Sequence, residues 1–248
     1  IYHPSATPFG ALAAVAPWAD ADGAELLASW IVGLEVGIRL ASALGMPHYD
    51  RGWHVTGTAG AVAAAAATAR LLRLPADTFS AALNLAATMS GGHRTHFGSD
   101  AKSGHAGFAA QHGVQAVLLA REGFTASPLG ITGPRGLLGV VGPDGDHAAL
   151  LDGIGERWRL LDNRLKPYAS GVVTHPAIDV AREIRGRYGA DPASYASIRL
   201  AVHPLVTELT GIREPTTGLQ GKFSVWHCFA AGLVHDRAAV REFSDAAI

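Results

Sequence analysis

Residues 57–72 read GTAGAVAAAAATARLL, a stretch made almost entirely of alanine, glycine and threonine with a few larger apolar residues. Alanine has the highest helix propensity, and small side chains allow neighbouring helices to approach closely. The alanine-rich run is too short and too weakly apolar to span a bilayer. The stretch therefore predicts a helix in a compact bundle that leaves little room for water.

The same helical patterning extends on both sides, from Pro8 to Leu161, with apolar residues three or four positions apart. It predicts further helices over residues 24–44, 77–89 and about 104–121, the first of them ended by Gly45. Glycine at every third position in residues 133–145 lacks the spacing of a dinucleotide site and predicts a turn-rich connector.

The patterning changes near Asn163. Residues 176–188 predict a helix, Ile198–Val202 alternates in the manner of a strand, and residues 222–234 return to a buried helical pattern. We therefore predict a mainly α protein. It has a large all-helical domain over residues 1–162 and a smaller α/β domain over residues 163–248.

Composition limits the classes of partner. The 248 residues are 48% hydrophobic with a formal net charge of −1, which provides for a core but gives no overall attraction for nucleic acid or an anionic membrane. The single cysteine, Cys228, has no partner for an internal disulfide, which suits a reducing compartment. We expect a soluble, cytoplasmic protein with neither nucleic-acid nor membrane partners.

Histidine is the first chemical feature, because 12 are present and imidazole transfers protons near neutral pH. His93 and His96 have the spacing of a metal-binding pair on a helix, but no third ligand follows at a recognisable distance, so we predict no metal. The sequence has no G-x-S-x-G elbow and no P-loop, so the motifs that would support an α/β-type serine hydrolase or a P-loop nucleotide-binding enzyme are missing.

Lys102 lies just before the apolar part of the predicted helix 104–121. There its ammonium and the free N–H groups of the helix start can converge on an anion such as a carboxylate. His105 and His112 share one face of this helix. An ordinary solvated lysine beside a hydrogen-bonded histidine explains the same residues, and the residues alone favour that interpretation.

Segments along most of the chain resemble the MmgE/PrpD family in order and approximate spacing. These are His3–Ser5, Gly52–Gly57, Lys102–Gln111, Leu165–Tyr168, Thr174–Asp179 and Thr217–Ser224. The family includes 2-methylcitrate dehydratase, cis-aconitate decarboxylase and iminodisuccinate epimerase, which act without metal on small polycarboxylates. The resemblance implies a homodimer without cofactors, in which a large helical domain and a smaller α/β lid enclose the active site.

The resemblance also assigns site residues. It puts Lys102 and Lys166 at the positions of the substrate-binding lysines, and His3 and His54 at those of active-site histidines. We add His105 and His227 as expected substrate contacts. Lysines bind carboxylates and stabilise the enolate-like charge that develops when an α-proton leaves. The base that takes this proton is His54 or His3, with Lys102 also assigned to catalysis.

The sequence departs from the family in several places. Complete members extend further at both ends, so an acidic and a threonine active-site residue and part of the lid are expected to be missing. Gly171 stands where cis-aconitate decarboxylases have an active-site histidine, and His227 where they have a tyrosine, which argues against that activity. Ser103-Gly104 replaces a proline and a bulky residue. Asp100 either holds Lys102 in place or weakens its affinity for anions.

We therefore predict a cofactor-independent hydro-lyase of the 2-methylcitrate dehydratase type, acting on a small polycarboxylate. One alternative is an epimerase or isomerase of an acidic substrate, similar to iminodisuccinate epimerase. Another is a non-catalytic binding protein that keeps the family fold.

Overall fold

The computed structural model describes residues 2–248, which are mostly helical. The helices are α1 (Ala6–Val15), α2 (Gly23–Asp50), α3 (Val55–Leu71), α4 (Ala76–Thr88), α5 (Asp100–Arg121), α6 (Leu137–Val141), α7 (His175–Tyr188), α8 (Pro204–Thr210), α9 (Gly218–Gly221) and α10 (Val225–His235). The chain divides into two compact units. The first contains the residues up to Thr95 together with Lys102–Asn163, and the second contains His96–Ala101 and Arg164–Ile248.

Helix α3 is the core of the first unit, and all of its residues except Arg70 are buried. Helices α1, α2 and α4 pack along it. Ala64 of α3 forms an apolar cluster with Ala11 of α1 and Ala110 of α5. The alanine-rich stretch thus forms the predicted helix and is surrounded by other helices.

Two glycines show how closely the helices approach α3. A Cβ placed on Gly33 of α2 would lie 2.8 Å from Ala67 Cβ, and one on Gly113 of α5 would lie 2.5 Å from Ala64 Cβ and 2.6 Å from the Ala65 backbone nitrogen. Real Cβ atoms do not pack at such distances, because van der Waals contact between carbons begins near about 3.5 Å. The predicted close packing of helices is confirmed.

Helix α2 begins where the Asp22 side chain accepts a hydrogen bond from Glu25 N at 2.9 Å, a typical N-cap. The predicted end at Gly45 is a kink instead: Gly45 has φ 65°, and helical backbone resumes and continues to Asp50. Glycine adopts this left-handed conformation without steric cost. The helix therefore changes direction at Gly45 and does not end there.

Glu35 and Arg39 of α2 hydrogen-bond to residues 152–159 and so hold this segment against the helix. They form a buried ion pair of 2.6 Å. Arg39 also donates to the carbonyls of Asp152 and Arg157, each at 2.7 Å, while Glu35 accepts from Arg159 N at 3.0 Å. Helix α2 is long and apolar enough to cross a membrane by composition alone. The buried ion pair of Glu35 with Arg39 and the packing of α2 against α3 are typical of a helix in the core of a folded protein.

The glycine-rich connector is turn-rich, as predicted, with α6 as a short helix inside it. Its glycines lie against the backbone: a Cβ on Gly139 would be 2.3 Å from Pro134 O, and one on Gly145 would be 2.0 Å from Ala43 O. The glycine repeat therefore serves close backbone packing.

The second unit is built around α7 and α10. Its core includes Ile178 of α7 with Cys228 of α10, and Ala181 with Phe229 and Leu233. Cys228 is fully buried, as expected for a small core residue.

The predicted α/β character of residues 163–248 is not confirmed. Between Tyr2 and Ile248 the structure contains only isolated bridges, Trp53 with His93 and Gly211 with Ser224. Ile198–Val202 is not assigned as a strand. A strand requires a neighbouring strand to receive its N–H and C=O groups, and no described segment pairs with these residues. The alternating pattern was not sufficient without that partner, whereas the mainly α prediction is confirmed.

Candidate active site

His54 lies at the N-terminal end of α3 and is only 1% exposed. A short antiparallel bridge fixes its backbone, since His54 N donates to Gly92 O at 3.0 Å and Arg94 N donates to Gly52 O at 2.8 Å. A Cβ on Gly57 would lie 1.9 Å from Gly91 O. The glycines therefore allow the 91–92 loop to cross the start of α3 in direct backbone contact, and this crossing positions His54.

His105 comes from α5 and is 7% exposed. Its Nδ1 lies 2.7 Å from Nδ1 of His54, and the two ring centroids are 5.0 Å apart. A hydrogen bond between two ring nitrogens needs a proton on one and a lone pair on the other. The two imidazoles therefore hold one proton between their facing nitrogens.

Lys102 lies in the first turn of α5, and its Nζ is 3.3 Å from Nε2 of His3. An ammonium group only donates hydrogen bonds, so His3 Nε2 accepts here. The His3 and His54 rings lie edge to face with centroids 6.1 Å apart. These contacts bring His3, His54, Lys102 and His105 into one cluster, called the His–Lys cluster below.

The electrostatics of this cluster favour a neutral His54 and a bound anion. Burial lowers the pKa of His54 to about 2, and the nearby positive charge of Lys102 lowers it in the same direction. The N-terminal ends of α3 and α5 add partial positive charge at the same place. A carboxylate bound to the lysine offsets its positive charge and raises the pKa of the neighbouring imidazole, which can then accept a proton.

Lys166 and His227 belong to the second unit. Lys166 is exposed as a whole, but its Nζ donates to Ser170 O at 3.2 Å, and burial lowers the pKa of this amino group. His227 Nε2 donates to Glu242 O at 2.6 Å, and its ring packs against Phe243. Both remain predicted substrate contacts. The hydrogen bond of His227 also gives it a role within its own unit.

Other residues singled out in the sequence have different surroundings. Asp100 is the exposed first residue of α5, and His112 is half-buried further along this helix. His93 packs its ring against Trp53 at 5.3 Å. Within residues 2–248 no group of three His, Cys, Asp or Glu side chains has the arrangement of a metal site.

His48 was not identified from the sequence. It is fully buried, Nδ1 donates to Val141 O at 2.8 Å, and Nε2 accepts from Thr58 Oγ1 at 2.9 Å. Its ring stacks on Trp53 with centroids 6.0 Å apart. Trp53 directly precedes His54, so His48 supports the residue that leads into the cluster. No spacing in the sequence indicates this, because its partners come from distant segments.

Comparison with known proteins agrees with this architecture. Residues 1–149 match the MmgE/PrpD N-terminal domain, and residues 168–248 match the MmgE/PrpD C-terminal domain. The chain belongs to the MmgE/PrpD family.

Curated relatives include a cis-aconitate decarboxylase from Aspergillus terreus. It is 27% identical over 241 residues, which cover 90% of this chain and 49% of that protein. A cis-aconitate decarboxylase-like protein, oryM, from Aspergillus oryzae is 26% identical over 249 residues, covering 91% of this chain and 50% of that protein. The chain thus spans about half the length of the curated relatives it matches.

Proposed function

We propose that the protein is a cofactor-independent lyase that acts on a small polycarboxylate by removing a proton from the carbon next to a carboxylate. The observation that carries this proposal is the His–Lys cluster, in which a neutral buried imidazole lies beside an ammonium group. Either feature alone is common in proteins. Together they provide a base and a cation for the charge that the base creates.

The steps follow from the chemistry of these side chains. Lys102 binds a substrate carboxylate and stabilises the enolate-like charge as the C–H bond breaks. His54 or His3 takes the proton, and the departing hydroxyl group leaves as water after protonation. Lys166 is proposed as the clamp for a second carboxylate and His227 as a further substrate contact. A cytoplasmic homodimer remains part of this proposal.

Decarboxylation is the second candidate, and the similarity to cis-aconitate decarboxylases favours it. It would use the same lysines, with a proton delivered to the carbanion that carbon dioxide leaves behind. Two positions favour dehydration instead. Gly171 provides no side chain where those enzymes are expected to have a histidine, and His227 replaces an expected tyrosine.

The test is a panel of acids in deuterated water: citrate, 2-methylcitrate, isocitrate and cis-aconitate. Proton NMR follows exchange at carbon, absorbance follows unsaturated products, and a gas assay follows carbon dioxide. We expect water loss with an unsaturated product and no carbon dioxide. Release of carbon dioxide would instead establish the decarboxylase. Deuterium in recovered substrate without loss of either molecule would indicate an epimerase.

Binding without any reaction would support the non-catalytic alternative and overturn the lyase proposal. Calorimetric titration of the same acids measures this binding. Lack of both binding and turnover across the panel would overturn the choice of polycarboxylates as ligands.

A further inference from the structure

His54 and His105 face each other through the same ring atom. Their Nδ1 atoms are 2.7 Å apart in a buried setting, although the residues are 51 positions apart in the sequence. The pair has two neutral arrangements. When His54 Nδ1 carries the proton, His54 Nε2 has a lone pair and is a base. When His105 Nδ1 carries it, His54 Nε2 bears a hydrogen and is an acid. Passing from the first arrangement to the second takes two proton movements: the facing proton moves to His105 Nδ1, and His54 Nε2 gains a proton from outside the pair. His105 then carries a positive charge until it gives up a proton.

We propose that His105 is a positioning residue that takes up the Nδ1 proton of His54 during turnover. This differs from its predicted role as a substrate contact, and it rests on the proposed function. In the forward step the substrate C–H bond breaks, its electron pair stays on carbon, and His54 Nε2 gains the proton. The Nδ1 proton of His54 then passes to His105 Nδ1, so that His105 carries the positive charge.

The return step balances the first. Neutral His54 gives its Nε2 proton to the departing hydroxyl group, which leaves as water with the electron pair of the C–O bond. The Nδ1 proton moves back from His105 to His54, and the starting arrangement is restored. A histidine that is costly to protonate thus works as base and then as acid, because the charge does not stay on its ring.

Backbone contacts hold the two rings at this spacing. Gly92 has φ 138°, a conformation that glycine adopts readily. Its carbonyl accepts the hydrogen bond of His54 N, and a Cβ placed on it would lie 3.4 Å from the His105 ring. The same residue therefore contacts both partners, and a larger one would be strained and crowded there. The spacing is a property of the fold.

The experiment compares His105→Asn with the matched control His112→Asn on the same helix. The asparagine amide lies close to the position of Nδ1, so it preserves a hydrogen bond to His54 but cannot take a proton. We expect His105→Asn to fold, to keep its KM within about twofold, and to lose roughly 100-fold or more in kcat, the scale of general acid–base catalysis. His112→Asn should retain full activity.

An unchanged kcat in His105→Asn would overturn the proposal. So would a raised KM with normal kcat, because that pattern indicates direct substrate binding.

A second measurement needs neither substrate nor variant. In the full chain labelled with ¹⁵N-histidine, NMR reports the protonation of each ring nitrogen. Before substrate binds, we expect His54 to be protonated at Nδ1 and unprotonated at Nε2, and His105 to be unprotonated at its facing Nδ1. A His54 that carries its proton on Nε2 instead would contradict the proposal, because it has no lone pair there for the substrate proton. If the tautomers are as expected but no acid in the panel reacts, the lyase proposal fails while the pairing stands.

Discussion

In the His–Lys cluster, burial is the main influence on the protonation of His54. It keeps His54 neutral, with its pKa lowered to about 2, while Lys102 contributes a positive charge that lowers the pKa further. Lys102, His54 and His3 were assigned from the resemblance, and the structure places them in one cluster. The contact between His54 and His105 could not be predicted, because it depends on a loop crossing that helical spacing does not encode.

Lys102→Ala should reduce turnover by about 100-fold or more, since the cation opposite the developing negative charge is removed. The fold should remain intact by circular dichroism. The same variant should raise the pKa of His54, because one source of positive charge is gone, and a ¹⁵N NMR titration measures this. Arg121→Ala is the control, an exposed cation at the other end of α5. Undiminished activity of Lys102→Ala would remove this lysine from the mechanism.

At the scale of elements, the packing of the helices in the first unit depends on their close approach to α3 more than on large apolar side chains. Helical periodicity was sufficient to predict residues 24–44, 77–89, 104–121 and 176–188 as helices, and the structure has helices at these places. It could not predict that α2 bends at Gly45 and continues. It also suggested a strand at Ile198–Val202, because alternation describes the faces of a segment and not its pairing.

Gly113→Ala should destabilise the fold by about 1–3 kcal/mol, the usual cost of overpacking a tight core. The added Cβ would lie 2.6 Å from the Ala65 backbone nitrogen, which cannot rotate away. Gly107→Ala on the same helix is the control, because its Cβ meets nothing within 4 Å and alanine favours a helix. Urea unfolding compares the two. Equal stability of the two variants would show that α5 can move away from α3.

At the scale of the whole molecule, both units contain buried histidines that resist protonation. Burial lowers the pKa of His48 and His54 in the first unit and of His175 in the second below the ordinary value of 6.5. Burial alone would raise the pKa of Glu242, but its hydrogen bonds with Arg237 and Ala239 outweigh this and lower it below 4.5. The pKa shifts of the histidines therefore affect the stability of the fold below about pH 6.5, whereas that of Glu242 affects it below about pH 4.5.

Stability should fall as the pH drops below about 6.5, because the unfolded chain then binds protons that the folded histidines refuse. The stabilisation is fully present above 6.5, and the share of His54 is lost progressively as the pH falls towards its folded pKa of about 2. Urea unfolding between pH 7.5 and 5 measures the slope. His54→Gln should flatten it, whereas the exposed His235→Gln should not. Stability independent of pH in this range would contradict the expectation.

Trp53 gives the protein an internal optical label. Its indole lies parallel to the His48 ring, with an angle of 4° between the planes, and it directly precedes His54. Indole fluorescence is quenched by a neighbouring imidazolium but much less by a neutral imidazole. Because burial lowers the pKa of His48, the emission of Trp53 reports whether the start of α3 is still closed around its histidines, once the other tryptophans are replaced by phenylalanine. Fluorescence measurements on Trp53 can therefore follow the packing beside the cluster in solution.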